Sequence, residues 1–167
     1  MLYWDGAAAN KRRLRANVFP ESAGIFEGTM MEPPQPERAN IPGIIMVIKN
    51  SGQTPAYKII SWVQLAVIEP INEHTLLIPK FDEEKHAFTL GSGGTFSKAI
   101  WFDRALTAHE IEDIRSRARS IYLYGIIEYR DVSNRKMSTN FRLHYNGTFP
   151  PVKDAVFWHS EKGNYAT

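Results

Sequence analysis

Apolar residues in this chain occur in short runs, separated by clusters of proline, glycine and polar residues. Gly43–Lys49 is a continuous apolar run rich in β-branched residues, which is typical of a strand buried on both faces. The turn cluster Asn50–Pro55 follows, and Ala56–Ile68 then resumes as a long strand that offers Trp62 as a core indole. Two apolar runs joined by such a turn predict a β-hairpin.

A second hairpin is predicted later in the chain. Ile121–Tyr129 is strongly strand-like, Asp131–Lys136 supplies a turn, and Ser138–Tyr145 returns with strict alternation. One face of the returning strand is apolar apart from a threonine and carries Thr139, Phe141, Leu143 and Tyr145. The opposite face is polar, so the pattern predicts a hairpin with one solvated face.

Shorter segments complete the pattern. Arg15–Ser22 predicts a first strand at a sheet edge, because Pro20 cannot donate to a strand ladder. Met31–Pro42 predicts an extended, proline-rich loop, and Thr95–Phe102 predicts a strand after a glycine-rich turn. Residues 70–79 and 80–88 predict loops around short edge strands. The late apolar patch Val156–Trp158 predicts an added edge strand or a docked tail.

One helix is predicted over Thr107–Ser120. Thr107 is a favourable N-cap, and Glu110 three residues later completes a capping box. Ile111 and Ile114 lie on one stripe of an otherwise charged segment, so the helix is expected to cover one end or edge of a sheet.

Together these elements predict a mainly β fold. About seven strands, with turns at regular intervals and one short amphipathic helix in a late crossover, indicate an immunoglobulin-like antiparallel β-sandwich. The predicted organisation is a basic flexible leader over residues 1–14, the sandwich over residues 15–149 and a C-terminal extension over residues 150–167.

Charge and composition narrow the classes of partner. The formal net charge of +2 is too small to indicate nucleic acid, so a protein or peptide partner is expected. The dense basic run of Lys11, Arg12, Arg13 and Arg15 has two open interpretations, a solvated leader or a weak contact with an anionic membrane surface. The chain has no cysteine, which excludes disulfides and thiolate chemistry.

Hydropathy gives no segment of the roughly 18–20 apolar residues that a membrane-spanning helix requires. The longest candidate, Ile59–Ile68, is half that length and contains Ser61 and Gln64. The N-terminus also lacks the order of charge and hydrophobicity of a signal peptide. We therefore expect a soluble domain without an export signal.

Three segments carry a resemblance to a known group. Asn50–Ala56 resembles an N-x-G-x-T-P-A hairpin, Tyr124–Asp131 resembles a Y-G-x-I-x-Y-x-D strand, and Arg15–Val18 resembles an R-A-Y-V strand start. The group comprises small uncharacterised proteobacterial proteins with one immunoglobulin-like domain after one or two membrane helices. The resemblance implies the same architecture and association with the cell envelope, but no activity. This chain departs from the group in lacking the membrane segment, so it is a free-standing relative, a truncated reading frame or a piece of a longer protein.

No catalytic, cofactor or metal signature is found, and the chain is expected not to be an enzyme. His109–Asp113 begins like a zinc motif but ends in aspartate, and Gly91–Gly94 precedes a strand where a phosphate loop needs a helix. Asp82, Glu83 and Glu84 are better interpreted as a solvated loop. A hydrolase whose residues assemble only in the folded chain remains the alternative.

The sequence therefore predicts a non-catalytic interaction module. Its candidate contact residues lie in the two turns and in the tyrosine-rich strand between them: Asn50, Gln53, Tyr122, Tyr124 and Asp131. The two tyrosines have a competing interpretation as core residues.

Overall fold

Two antiparallel β-sheets form the body of the chain. The computed structural model describes residues 15–31, 33–80 and 87–167, and strands are numbered here in chain order. The smaller sheet has the order β1-β2-β5 and is built from β1 (Val18–Glu27), β2 (Pro42–Asn50) and β5 (Thr95–Trp101).

The larger sheet has the order β4-β3-β6-β7. Its members are β3 (Ala56–Ile68), β4 (Phe88–Leu90), β6 (Ser120–Arg130) and β7 (Lys136–Tyr145). Two short strands of the C-terminal extension, β8 (Trp158–His159) and β9 (Tyr165–Ala166), both pair with β7.

The strand order is that of an immunoglobulin domain. In that fold the first, second and fifth strands share one sheet, and the third, sixth and seventh share the other. Here the fourth strand lies beside the third, where variable domains carry an additional strand. The predicted immunoglobulin-like antiparallel sandwich is confirmed.

The core fills the space between the facing sheets. The smaller sheet contributes Val18, Ile44, Met46 and Ile48, and the larger contributes Ile59, Ile121, Leu123 and Ile127, all without exposed surface. Burying each large aliphatic side chain contributes about 1.5–3 kcal/mol. Two hydrogen bonds also join the layers, from the Tyr129 hydroxyl to the Ala16 carbonyl at 3.3 Å and from Thr139 Oγ1 to the Val18 carbonyl at 2.7 Å.

The second predicted hairpin is confirmed. β6 and β7 pair from Ile121–Tyr145 to Arg130–Lys136, and the four alternating residues of β7 predicted to share a face are all buried. The opposite face of this hairpin is wrongly predicted as solvated, because other segments cover it.

The first predicted hairpin is wrong. β2 pairs with β1 and β5, whereas β3 pairs with β4 and β6, so residues 51–55 carry the chain from one sheet to the other. A turn between two apolar runs is needed both by a hairpin and by such a crossing. The local pattern therefore does not separate them.

Two burial expectations for β2 and β3 are also wrong. Ile45 on the outer face of β2 is 46% exposed, because an antiparallel sheet of a sandwich meets the core on one side only. Trp62 of β3 pairs with Ile126 on the outer face of the larger sheet and is not the core indole. Its ring instead packs edge-on against Tyr124, with ring centroids 5.6 Å apart.

The crossover between β5 and β6 contains the predicted helix, α1 (Ala108–Arg115). The capping box is present, with the Thr107 side chain and the Glu110 backbone and carboxylate bonded reciprocally. The helix ends earlier than predicted, at Arg115, with Ser116 as its C-cap, and Arg117 then adopts a left-handed backbone with φ of 65°. Ile114 is fully buried against the sandwich.

Three segments of 3₁₀ helix lie in two connections: Gly28–Met30 and Pro36–Arg38 between β1 and β2, and Pro70–Thr75 after β3. The first two lie at or within the predicted proline-rich loop. The third begins the segment over residues 70–80, called the strap here, which runs from β3 towards β4. The strap covers part of the outer face of the larger sheet, where Leu76 is 8% exposed and packs with Tyr122 and Tyr124.

The C-terminal extension lies against both sheets. Phe157 is buried, and its backbone N–H donates to the Ala23 carbonyl of β1 at 2.9 Å. Across residues 15–31, 33–80 and 87–167, no helix has the length and apolar character to span a membrane. Lys11, Arg12 and Arg13, together with the rest of the predicted leader, lie outside the described residues.

Candidate functional site

Three connections meet at one end of the sandwich, called the loop end here. They are residues 51–55 between β2 and β3, residues 91–94 between β4 and β5, and residues 131–135 between β6 and β7. The Asn50 N–H donates to the Gly94 carbonyl at 3.0 Å, and Ser92 Oγ donates to the Gly52 carbonyl at 2.7 Å. The pairing of Tyr57 with Arg130 places the third connection beside the first. The two turns predicted as contact regions therefore share one end.

Asn50 joins two of these connections from inside the protein. Its side chain has no exposed surface, and Oδ1 accepts from the backbone N–H groups of Asn17 and Gly52 at 3.1 and 3.0 Å. Its Nδ2 group donates to three carbonyls, those of Thr54, Leu90 and Gly91. A buried side chain cannot contact a partner. Asn50 is therefore a structural residue, which corrects its prediction as a contact residue.

Gly52 is required by close packing. A Cβ at this position would overlap the backbone of Arg15, Ala16 and Asn17, and the backbone of Gly52 is not left-handed. In the sequence, Asn50 and Gly52 indicate a turn. Their actual role is to hold the start of β1 against the sheet-crossing connection.

Asp131 has the same structural role in the third connection. The residue is 2% exposed, and Oδ1 accepts from the N–H groups of Ser133 and Arg135 while Oδ2 accepts from the Arg135 guanidinium at 2.7 and 3.0 Å. Burial by itself raises the pKa of Asp131, but the bonds from Arg135 and Ser133 lower the pKa below its ordinary value. Its prediction as a contact residue is corrected as well.

The surface left at the loop end is made of other side chains. Gln53 is exposed, as a contact residue must be, and Val132 and Tyr57 are 54% and 42% exposed. Ser133, Asn134 and Arg135 are also exposed. The buried asparagine and aspartate thus hold a rigid frame that displays apolar and polar side chains.

The two candidate tyrosines lie elsewhere, on the outer face of the larger sheet. Tyr122 and Tyr124 are only 2% and 7% exposed because the strap covers them, and burial raises the pKa of both hydroxyls. Tyr124 donates to Gln64 Oε1 at 3.2 Å. The structure supports the core interpretation of this pair and corrects their prediction as contact residues.

Arg142 lies between the strap and the C-terminal extension. Its guanidinium donates to the Leu76 carbonyl at 3.3 Å and lies 3.9 Å from the Glu73 carboxylate. Its Nε is buried without a hydrogen-bond partner among the described residues. A pocket of about 250 Å³ opens beside it, bounded by Tyr124, Arg142 and Tyr165.

A second pocket of about 300 Å³ lies farther along the same face and is called the His144 pocket here. It is lined by Glu73, Ser120, Tyr122, His144, Ser160 and Glu161, together with Pro70 and Asn146. His144 Nδ1 is 3.4 Å from Ser160 Oγ, and its ring lies near that of Tyr122, with centroids 6.0 Å apart. Burial lowers the pKa of His144, and Glu73 partly opposes this effect.

Sequence reasoning missed the His144 pocket. His144 belongs to the polar face of β7 that was predicted to be solvated, whereas the residue is half-buried. The lining residues come from the strap, from β6, from the end of β7 and the residue after it, and from the C-terminal extension, so no local spacing connects them. The sequence signal for this pocket was the row of polar residues on the outer face of β7, which includes His144.

The described residues do not form the other candidate metal-binding or phosphate-binding sites. His109 is mainly exposed and lies 3.5 Å from Asp113 on one face of α1, and the described residues contain no cluster of three potential metal ligands. Residues 91–94 lead into a strand, as expected. Asp82, Glu83 and Glu84 lie outside the described residues.

The fold and these surfaces define an immunoglobulin-like β-sandwich with an ordered loop end and a partly covered outer face. Comparisons of the chain with protein-family models, curated proteins and solved structures found no match. The function must therefore be argued from geometry.

Proposed function

We propose that the protein is a non-catalytic interaction module that binds a partner protein or peptide through its loop end. One observation carries the proposal. Asn50 and Asp131 hold the connections rigidly from within, while Gln53 and Val132 on the connections and Tyr57 at the start of β3 remain exposed.

The physical support is preorganisation. Ordering loops and side chains on binding costs free energy, and a surface that is already ordered avoids much of this cost. Variable immunoglobulin domains bind through loops at one end of the same kind of sandwich. An exposed valine and tyrosine beside polar groups also suit an interface whose centre is apolar and whose rim is polar.

Val132→Asp tests this surface, because a carboxylate at the centre of an apolar contact must lose its hydration on binding. We expect quantitative mass spectrometry of proteins captured from the native host to show at least tenfold loss for this variant. Val152→Asp is the matched control, because Val152 is similarly exposed at 62% but follows the opposite end of β7. Equal capture by both variants, or equal loss from both, contradicts the proposal.

We also propose that the module works at the cell envelope. The support is the resemblance of Asn50–Ala56 and Tyr124–Asp131 to segments of membrane-anchored proteobacterial proteins. Lys11, Arg12, Arg13 and Arg15 would add attraction to anionic headgroups, each basic residue near the surface contributing about 1 kcal/mol.

A second candidate function is hydrolysis by a serine nucleophile. The contact between Ser160 Oγ and His144 Nδ1 favours it, because a hydroxyl beside a histidine base is the arrangement used in nucleophilic catalysis. An activated Ser160 would be labelled by a fluorophosphonate probe in the native chain and not in Ser160→Ala. Absence of labelling in the native chain removes this candidate.

A further inference from the structure

We propose that the His144 pocket binds a small organic cation through a primary ammonium group. This site is separate from the loop end. Lys136 begins β7 at the loop end and His144 lies eight residues farther along the strand, which corresponds to about 26 Å at roughly 3.3 Å per residue.

The charges lining the pocket favour a cation. Glu73 and Glu161 both line it, and the described lining residues include no lysine or arginine. Arg142 approaches Glu73 from outside the pocket, but at 3.9 Å this ion pair is longer than a charge-assisted hydrogen bond of about 2.7–2.9 Å. Burial favours the uncharged form of His144, so the imidazole does not offset the two carboxylates near neutral pH.

The hydrogen-bonding groups also fit an ammonium. Ser120 is 1% exposed, and its Oγ has no hydrogen-bond partner among the described residues although it lines the pocket. An unsatisfied buried hydroxyl is costly, at about 1–3 kcal/mol, and a bound donor would remove that cost. A primary ammonium has three donors, and the residues that line the pocket include three acceptors for them, the Ser120 hydroxyl and the carboxylates of Glu73 and Glu161.

Aromatic surface and size restrict the ligand further. Tyr122 is among the lining residues, and cations are attracted to the faces of aromatic rings. A volume of about 300 Å³ is at the lower limit of small-molecule pockets, so a small amine fits better than an extended ligand. A metal ion is a poorer fit, because the described residues contain no cluster of three potential ligands.

n-Butylamine, protonated at pH 7, is the probe, and n-butanol is its uncharged counterpart. The full chain is titrated with each at constant ionic strength, and backbone amide shifts are followed by NMR. Butylammonium should give saturable shifts at Ser120, Tyr122, His144 and Ser160 that butanol does not give. Equal binding of the two probes, or no saturable shift, overturns the proposal.

Charge variants identify the groups that hold the ammonium. Glu161→Gln should raise the Kd for butylammonium about tenfold, as expected for loss of one charge-assisted hydrogen bond. Glu161 belongs to none of the ion pairs found among the described residues, so this variant should fold normally. Glu69→Gln is the matched control, because Glu69 immediately precedes the strap but does not line the pocket. Equal weakening by both variants would mean that general surface charge attracts the amine, and it would overturn the proposal of a specific site.

The two proposals fail separately. Val132→Asp should leave butylammonium binding unchanged, since the loop end is distant from the pocket. Loss of partner capture in this variant together with intact amine binding supports both sites. Loss of amine binding in Val132→Asp would show that the loop end and the His144 pocket are not separate sites, and would overturn the proposal that the pocket binds the amine by itself.

Discussion

Asn50→Ala is expected to lower the free energy of unfolding by about 3–5 kcal/mol. The substitution leaves the N–H groups of Asn17 and Gly52 and three carbonyls of neighbouring connections without their partner, at a site with no exposed surface. Each unsatisfied buried polar group costs about 1–3 kcal/mol, and relaxation with entry of water recovers part of the total. Urea denaturation with an unchanged slope measures the loss.

Gln53→Ala is the matched control for this prediction. Gln53 lies in the same connection but is exposed, so its truncation should change stability by no more than about 0.5 kcal/mol. If Asn50→Ala loses less than about 1 kcal/mol, the sheet crossing does not depend on the buried amide, and the rigid frame proposed for the loop end loses its basis.

Where apolar and polar side chains alternate along a strand, the sequence was sufficient to predict which residues face the core. Thr139, Phe141, Leu143 and Tyr145 were assigned to one face because strand side chains alternate, and all four are buried. The capping box of Thr107 and Glu110 was equally readable, because it depends on two residues at a fixed spacing. Both features are local.

The pairing of each strand with its neighbours in a sheet was harder to predict from the sequence. β2 and β3 are apolar runs joined by Asn50–Pro55, and this pattern is the same whether the strands pair or belong to different layers. At the crossing, the Asn50 side chain donates to the carbonyls of Leu90 and Gly91, about forty residues later in the chain. Such long-range bonds leave no periodic trace in the sequence.

The candidate sites were the least predictable. Turn-forming and aromatic residues were selected as contact residues, but Asn50, Asp131, Tyr122 and Tyr124 are used internally. At the loop end, the turn-forming residues Asn50 and Asp131 are buried, whereas Gln53 and Val132 near them in the chain are exposed to solvent. The outer-face pockets depend on the strap and the C-terminal extension. The apolar patch Val156–Trp158 correctly predicted that the extension docks, and β8 pairs with β7, but no local pattern showed that the strap covers the same face.

Glu110 should contribute to the acid sensitivity of the fold. The bidentate bond from Arg104, at 2.7 and 2.8 Å, and the bonds from Thr107 together lower the pKa of Glu110 from 4.5 to about 2, although burial opposes them. A carboxyl whose pKa is lower in the folded state stabilises the fold above its ordinary pKa and loses this contribution as the pH falls towards the folded value. Between pH 6 and pH 3 the loss from this one group is about 2 kcal/mol.

Glu110→Gln separates this contribution from that of the other carboxylates. Glutamine also completes a capping box, so the variant keeps the helix N-terminus but loses the charge that pairs with Arg104. Urea denaturation at pH 6 and pH 3 should show lower stability at pH 6 and a smaller decrease on acidification than in the native chain. Glu112→Gln, on an exposed face of the same helix, should retain the full decrease. An equal decrease in the native chain and in Glu110→Gln would mean that the pair with Arg104 does not stabilise the crossover that brings the chain into β6.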